Sequence, residues 1–164
     1  MWLIDTINPD GLARGTRQNA RGVDLNRNFP RRWRRHGRPG STFYSGPRPL
    51  SEPESRLAMR LIWRALPDVT VWFHQPFGLV DLREGADARL VRRYARTAGL
   101  PARRITGVFT GTATSWQHGA LPETTAFVVE LPPGPVSAAA ASRYVGAVRA
   151  VAARAACVNV LRCR

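Results

Sequence analysis

The sequence predicts an α/β domain in which a mixed, mainly parallel sheet is flanked by helices. Two short runs at 69–74 and 126–131 are nearly all apolar, as expected of strands buried on both faces of a sheet. Predicted helices alternate with predicted strands along the chain, which is typical of α/β proteins. The 164 residues, 44% of them apolar, are enough for one domain with a core, so we assign residues 1–164 to a single domain.

The first 50 residues are predicted to contain one strand followed by turns and loop. Residues 2–7 are rich in β-favouring side chains and end at Asn8-Pro9-Asp10-Gly11, a strong turn signal. In the segment 22–30, apolar Val23 and Leu25 alternate with polar residues, which predicts polar and apolar sides. Residues 31–49 combine arginines with prolines and glycines and are predicted to form a loop.

Helices and strands alternate in the rest of the chain. Residues 51–66 predict a helix with Ser51 as N-cap, Glu54 completing a capping box and Pro53 in the first turn. Residues 86–98 predict a helix closed by Gly99. We further predict a strand at 105–109, a polar loop at 111–122 and a helix at 137–156 capped by Ser137.

The charge balance favours acidic partners. The chain has 25 basic residues, all arginine, against 11 acidic ones, and this excess suits nucleic acid, an anionic envelope or acidic peptides. No segment approaches the roughly 20 apolar residues of a membrane span, so no span is predicted. Cys157 and Cys163 are compatible with a local disulfide and equally with two free thiols.

The segment 22–30 concentrates groups that recognise an anion. Arg27 offers a planar fork of donors that matches a carboxylate, and Asn26 supplies an amide donor beside it. The alternative is a structural pair between Arg27 and Asp24.

His74 closes one predicted buried strand, and Glu130 comes near the end of the other. Ligands of open α/β sheets gather beyond the carboxyl ends of strands. We therefore expect both side chains to face the same cleft as Asn26 and Arg27. Neutral imidazole is a good zinc ligand, although a single histidine at a strand end is often structural. A carboxylate in an apolar strand is either ion-paired or functional, because an unpaired buried charge is costly.

The ordered motifs NPDG, TRQNARGVDLNRNFP, YSGPRPLSEPES, FHQP and FVVELPPG resemble the zinc metallocarboxypeptidase family, particularly its bacterial murein peptide amidase branch. The resemblance implies hydrolysis of an amide bond next to a residue with a free carboxylate, with peptidoglycan peptides as candidate substrates. It implies that His74 is the third zinc ligand and that Glu130 is the general base. Asn26 and Arg27 would hold the substrate carboxylate, and Arg17 would stabilise the oxyanion, with Arg14 and Arg21 as competing assignments.

The same resemblance matches Ser115–His118 to a mobile loop that closes over substrate. Family members commonly carry tyrosine near the position of His118. Here His118 either donates a hydrogen bond to substrate or is simply exposed.

The chain departs from the family in its zinc ligands. The family takes two of them from an early His-x-x-Glu motif, whereas His36, His74 and His118 each lack a glutamate three places on. Two of three ligands for Zn²⁺ are therefore missing. We expect an N-terminally incomplete fold, the C-terminal part of a longer catalytic domain, that binds zinc weakly and has little activity alone; a genuinely short protein is the alternative.

Two other functions compete with a peptidase. A non-catalytic relative would still bind carboxylate-bearing peptides through Asn26 and Arg27. A nucleic-acid-binding protein would use the aromatic and basic run from Arg31 to Arg38, but it leaves the ordered motifs unexplained, so nucleic acid is not the expected partner. Cytoplasmic and extracytoplasmic locations both fit the sequence.

Overall fold

The computed structural model describes residues 1–83, 85–107 and 109–162, with side chains in the last helix described as far as residue 153. These residues form two compact units. The first contains residues 1–66 and the segment around helix α4, and the second contains residues 67–107 and the chain from Leu121 onward. The assignment of residues 1–164 to one domain stays a prediction.

Helices and strands follow one another along the chain with these bounds: α1 Pro9–Arg14, a 3-10 turn Leu25–Arg27, α2 Pro53–Ala65, β1 Val69–His74, β2 Leu79–Asp81, α3 Ala88–Ala98, β3 Ala102–Arg103, α4 Ala113–Ala120, β4 Thr125–Glu130 and α5 Ala138–Arg162.

The second unit contains a four-stranded mixed sheet in the order β1-β4-β2-β3. β1 pairs parallel to β4 over six residues, from Val69 opposite Thr125 to His74 opposite Glu130. β2 runs antiparallel to β4 and parallel to β3. Two of the three pairings are therefore parallel.

Helices α3 and α5 pack against one face of this sheet. The helices bury residues at helical spacing, and Phe127, Val129 and Val80 supply the strand side of the core. The helix residues concerned are Val91, Tyr94, Ala95 and Ala98 in α3, and Tyr144, Ala147 and Val151 in α5. Because strand side chains alternate, His74 and Glu130 belong to the opposite face, away from this core.

The first unit is built around buried side chains of the segment 22–30. Val23, Leu25 and Phe29 are 4% exposed or less. Phe29 stacks on Trp116 of α4 with ring centroids 5.7 Å apart, and Trp116 meets Trp63 of α2 edge-on at 6.4 Å. This aromatic packing fixes the Leu25–Arg27 turn against two helices.

The α/β fold class with a mixed sheet flanked by helices is confirmed. The helices predicted at 51–66, 86–98 and 137–156 form, as do the strands at 69–74 and 126–131, each within a few residues of the predicted bounds except at the end of α5. Gly99 ends α3 in the left-handed region, at φ 69°. The segment 31–49 contains no helix or strand, as predicted.

The N-terminal prediction was wrong. Residues 2–7 form no strand, and Met1, Trp2 and Leu3 are at least 75% exposed. A strand forms only by pairing with a neighbour, and residues 2–7 pair with none of the four strands of the described sheet. The predicted turn at 8–11 instead begins helix α1, because Asn8 caps it by accepting a hydrogen bond from the Gly11 N–H at 3.0 Å.

Three further predictions are corrected. Ser51 does not cap α2: the N-cap is Glu52, and the Ser51 hydroxyl donates to the Glu52 carboxylate at 2.7 Å. The loop predicted at 111–122 contains helix α4, which is stabilised by Thr112 accepting hydrogen bonds from the N–H groups of Ser115 and Trp116. Of the strand predicted at 105–109, the described residues are in no strand, and β3 lies at Ala102–Arg103 instead.

Cys157 and Cys163, considered as a disulfide or as two free thiols, lie outside the residues whose side chains the structure describes. Among the described residues, no helix has the length and apolar character needed to cross a membrane.

Candidate active site

Asp24 is the anchor of the anion-recognising segment in the first unit. One of its carboxylate oxygens accepts a hydrogen bond from the Asn26 N–H at 3.0 Å and so caps the Leu25–Arg27 turn. The other accepts from Nε of Arg17 at 2.8 Å. The Asp24 side chain is 3% exposed and that of Arg17 is 35% exposed. Arg17, rather than Arg27, is therefore the ion-pair partner of Asp24.

The amide of Asn26 is oriented by the start of helix α4. Its Oδ1 accepts a hydrogen bond from the Ala113 N–H at 3.0 Å. Because the oxygen end is engaged in this way, Nδ2 is the end that can donate to a ligand.

The Leu25–Arg27 turn and the chain before α4 approach each other closely. The Phe29 N–H donates to the Gly111 carbonyl at 2.9 Å. A Cβ at residue 111 would lie 2.3 Å from the Arg27 carbonyl oxygen, and Gly111 has φ +63°. Only glycine suits this position, so Gly111 permits the approach that orients Asn26.

Arg27 lies between two aromatic rings. Its guanidinium carbon is 5.3 Å from the ring centroid of Phe43 and 5.3 Å from that of Phe109. Its Nη1 also donates to the Asn26 carbonyl at 2.8 Å. The guanidinium of Arg17 lies over the same Phe43 ring at 5.2 Å. Two cationic groups and one amide are thus gathered at one place in the first unit.

The two arginines that competed with Arg17 for its role have other positions. Arg14 is exposed in the last turn of α1. Arg21 lies 4.0 Å from the buried carboxylate of Glu52, with its own side chain 67% exposed. Neither belongs to the group formed by Arg17, Asn26 and Arg27.

In the second unit, His74 and Glu130 are neighbours at the carboxyl ends of adjacent parallel strands. They are opposite each other in the register of β1 and β4, and paired residues of neighbouring strands point to the same face. The Leu131 N–H donates to the His74 carbonyl at 2.7 Å and holds this end of the pair closed. Glu130 is 7% exposed, whereas His74 is half-buried. The imidazole and the carboxylate predicted to act together therefore share one face and one strand end.

His118 belongs to helix α4 and is half-buried. The predicted mobile loop is thus a helical segment in which the flanking Trp116 and Gln117 are 5% and 0% exposed. The glycine and polar residues of 111–122 predicted a loop, and the family resemblance matched Ser115–His118 to a mobile one. The hydrogen bonds to Thr112 and the burial of Trp116 favour the helix instead.

The basic run at 31–38 is anchored to the first unit by its aromatic residue. Trp33 is half-buried and donates from Nε1 to the Ser45 carbonyl at 3.2 Å, and the His36 N–H donates to the Ser45 hydroxyl at 2.9 Å. The side chain of Arg31 covers Gly119 of α4.

A catalytic zinc site requires three protein ligands and one open position. Among the described residues, no group of three or more histidine, cysteine, aspartate or glutamate side chains could hold a metal ion. His74 and its neighbour Glu130 supply two side chains of the required types. The described residues therefore do not make a complete catalytic zinc site.

Residues 1–80 match the zinc carboxypeptidase family model. The resemblance to this family, deduced from the ordered motifs, is therefore confirmed. The relatives narrow it to one branch: murein peptide amidase A of Escherichia coli strain K12 is 39% identical over 90 residues, covering 46% of this chain and 36% of that protein.

Solved structures agree with this assignment. The murein-tripeptide amidase MpaA from Escherichia coli O157 has a TM-score of 0.66 and 29% identity, covering 91% of this chain and 65% of that one. The carboxypeptidase A of Helicoverpa armigera matches in fold, with a TM-score of 0.76 at 21% identity, over 93% of this chain and 50% of that one. The chain thus spans about a third of the curated relative and under two thirds of the amidase structure.

Sequence reasoning missed three residues that support the candidate site. Asp24 was considered only as a partner of Arg27, and Phe43 and Phe109 were not singled out. The available signal for Asp24 was its position two residues before Asn26, where an aspartate side chain can cap a turn. Phe43 lies in the predicted loop 31–49 and Phe109 ends the predicted strand 105–109, and neither pattern indicates a contact with an arginine.

Proposed function

We propose that this chain acts in hydrolysis of an amide bond next to a residue with a free carboxylate, with peptidoglycan peptides as the substrate class. The observation that carries the proposal is the register of β1 against β4, which pairs His74 with the buried Glu130 at one strand end. Similarity to murein peptide amidases supports the substrate class.

Glu130 is the proposed general base. A buried carboxylate accepts a proton from the attacking water and passes it to the leaving amine, a role that typically contributes 10²- to 10⁴-fold to the rate. His74 is the proposed metal ligand of the family resemblance, and zinc, when bound, would polarise the scissile carbonyl. Because the described residues do not complete a zinc site, we propose that the 164 residues alone bind zinc weakly and turn over slowly.

Arg17, Asn26 and Arg27 are the proposed substrate-binding group. The two guanidinium groups and the Nδ2 donor of Asn26 suit an anion with several acceptor lone pairs, such as a carboxylate. In the resemblance, Arg17 also stabilises the oxyanion formed as water attacks the amide. His118 is proposed to donate to substrate from α4.

A second candidate is a non-catalytic protein that binds carboxylate-bearing peptides. The absence of a three-ligand group among the described residues favours this alternative. It requires only Arg17, Asn26 and Arg27, and it makes Glu130 dispensable.

Hydrolysis measured with and without Glu130 distinguishes the two candidates. A murein-type tripeptide substrate is incubated with the purified chain and excess Zn²⁺, and the released amine is followed by mass spectrometry. We expect slow release by the wild-type chain and a loss of 100-fold or more in Glu130→Gln, whose amide cannot act as a base. Glu123→Gln, an exposed carboxylate near the other end of β4, is the matched control. Equal rates in wild type and Glu130→Gln, including no release by either, would overturn the proposed hydrolysis and favour the binding protein.

A further inference from the structure

One aromatic ring contacts two cations in the first unit. The guanidinium carbons of Arg17 and Arg27 lie 5.2 Å and 5.3 Å from the centroid of Phe43. Both distances are within the roughly 6 Å over which a cation is attracted to the negative face of an aromatic ring. Phe43 is 42% exposed, so this contact is close to solvent.

The Phe43 ring offsets the electrostatic repulsion between the guanidinium groups of Arg17 and Arg27. Two guanidinium groups gathered at one place repel each other, and the nearby acid, Asp24, pairs with Arg17. An aromatic face attracts both cations without neutralising them. A second carboxylate in the place of the ring would compete with an anionic ligand, whereas phenylalanine contacts both arginines without adding a negative charge.

The hydrogen bonds of the two arginines are consistent with this role. Arg17 uses Nε on Asp24, and Arg27 uses Nη1 on the Asn26 carbonyl. Each of these bonds fixes one edge of a guanidinium group. Contact with a ring fixes the plane as well, which reduces the side-chain freedom that binding would otherwise remove. Phe109 supplies a second ring for Arg27 alone, at 5.3 Å.

We propose that Phe43 is a positioning residue that holds the guanidinium groups of Arg17 and Arg27 together for one carboxylate, with Phe109 bracketing Arg27 from a second ring. The inference rests on the proposed function, in which these arginines bind the substrate carboxylate. It adds that the preference for a free carboxylate over a neutral amide depends on an aromatic ring at position 43. Phe43 touches the arginines rather than the reacting atoms.

The test compares two probes that differ only in charge. N-acetyl-glycylglycine and its C-terminal amide are titrated into the purified chain, and binding is followed by NMR. Phe43→Leu removes the aromatic face and keeps an apolar side chain, so the ratio of acid to amide affinity should fall about three- to tenfold. Phe43→Tyr keeps the face and should stay within about twofold of wild type. Phe109→Leu should lower the ratio less, and Phe77→Leu, an exposed phenylalanine in the second unit, should leave it unchanged.

The outcomes test carboxylate binding first, and then whether Phe43 positions the arginines or has only a structural role. A wild-type ratio near one would overturn the proposed carboxylate binding itself. A clear wild-type preference that survives in both Phe43→Leu and Phe109→Leu would overturn the inference alone. Loss of the preference in both Phe43→Leu and Phe43→Tyr would also overturn it, because tyrosine keeps the aromatic face that the inference requires. Thermal unfolding checks that each variant is folded; if Phe43→Leu unfolds, the Phe109→Leu and Phe43→Tyr titrations decide the question.

Discussion

Arg17 donates from Nε to a carboxylate oxygen of Asp24 at 2.8 Å, and the other oxygen of the same carboxylate caps the turn that carries Asn26 and Arg27. The buried carboxylate of Asp24 thus holds both the Arg17 guanidinium and the Asn26 backbone in place. Asp24 therefore contributes to the position of two members of the candidate carboxylate-binding group, Arg17 and Asn26.

Asp24→Asn should therefore destabilise the protein while preserving its shape. The amide oxygen can still cap the turn, but the charge-assisted bond to Arg17 is lost, which costs about 1–2 kcal/mol for a pair that is only half-buried on the arginine side. Urea unfolding followed by circular dichroism measures the change. Asp10→Asn, in the first turn of α1, is the control. No loss of stability in Asp24→Asn would show that the ion pair does not hold this turn.

A substitution of Tyr94, in the core of the second unit, should instead raise the stability. Its hydroxyl is buried and has no hydrogen-bond partner among the described residues. Because an unsatisfied buried polar group is costly, Tyr94→Phe should stabilise the protein by about 1 kcal/mol near pH 7. Urea unfolding of both proteins at that pH tests this. A destabilised variant would mean that the hydroxyl is satisfied by water.

The same residue sets an alkaline limit on stability. Burial, and secondarily the charge of Tyr144, raises the pKa of Tyr94 well above its ordinary value of 10.0. The tyrosine ionises first in the unfolded chain, so a pH above 10.0 stabilises the unfolded state and lowers the free energy of unfolding. Free energies of unfolding measured from pH 8 to 11 should fall less steeply in Tyr94→Phe than in wild type. Parallel curves for the two proteins would contradict this prediction.

Zinc binding by the purified chain should be weak. Structural zinc sites bind with roughly 10 kcal/mol or more, and they use four protein ligands. The described part of this chain has no group of three. Calorimetric titration should show no tight stoichiometric site, and His74→Ala should lower the residual affinity while His36→Ala leaves it unchanged. Tight binding of one equivalent would contradict the proposed incompleteness of the site.

Local sequence was sufficient to predict the two paired strands that carry His74 and Glu130. Both are short apolar runs ended by a polar residue, and both are buried against neighbours on a sheet. Gly99 likewise predicted the end of α3, because its left-handed conformation is a local property. The strand expected at 2–7 failed because β-structure depends on a partner that propensity does not supply.

The candidate site was predictable in its residue types and not in its supports. Asn26 and Arg27 stand out in the sequence as candidate anion-binding groups, and the family resemblance adds Arg17. By contrast, the bond from Ala113 to Asn26 joins residues 87 positions apart, and Phe43 lies in a segment without secondary structure. Such contacts arise from tertiary packing, which also converts the polar segment around His118 into helix α4.

We propose that Asn26 and the two arginines recognise a free peptide carboxylate. Asn26→Asp tests it most directly, because Oδ1 still accepts from the Ala113 N–H while the donor Nδ2 becomes an anionic oxygen. The dissociation constants of N-acetyl-glycylglycine and its C-terminal amide are measured for both proteins. The account predicts that wild type prefers the acid about tenfold or more and that Asn26→Asp loses this preference with the amide affinity unchanged. Equal affinities for acid and amide in wild type, or an unaltered preference in Asn26→Asp, would contradict it.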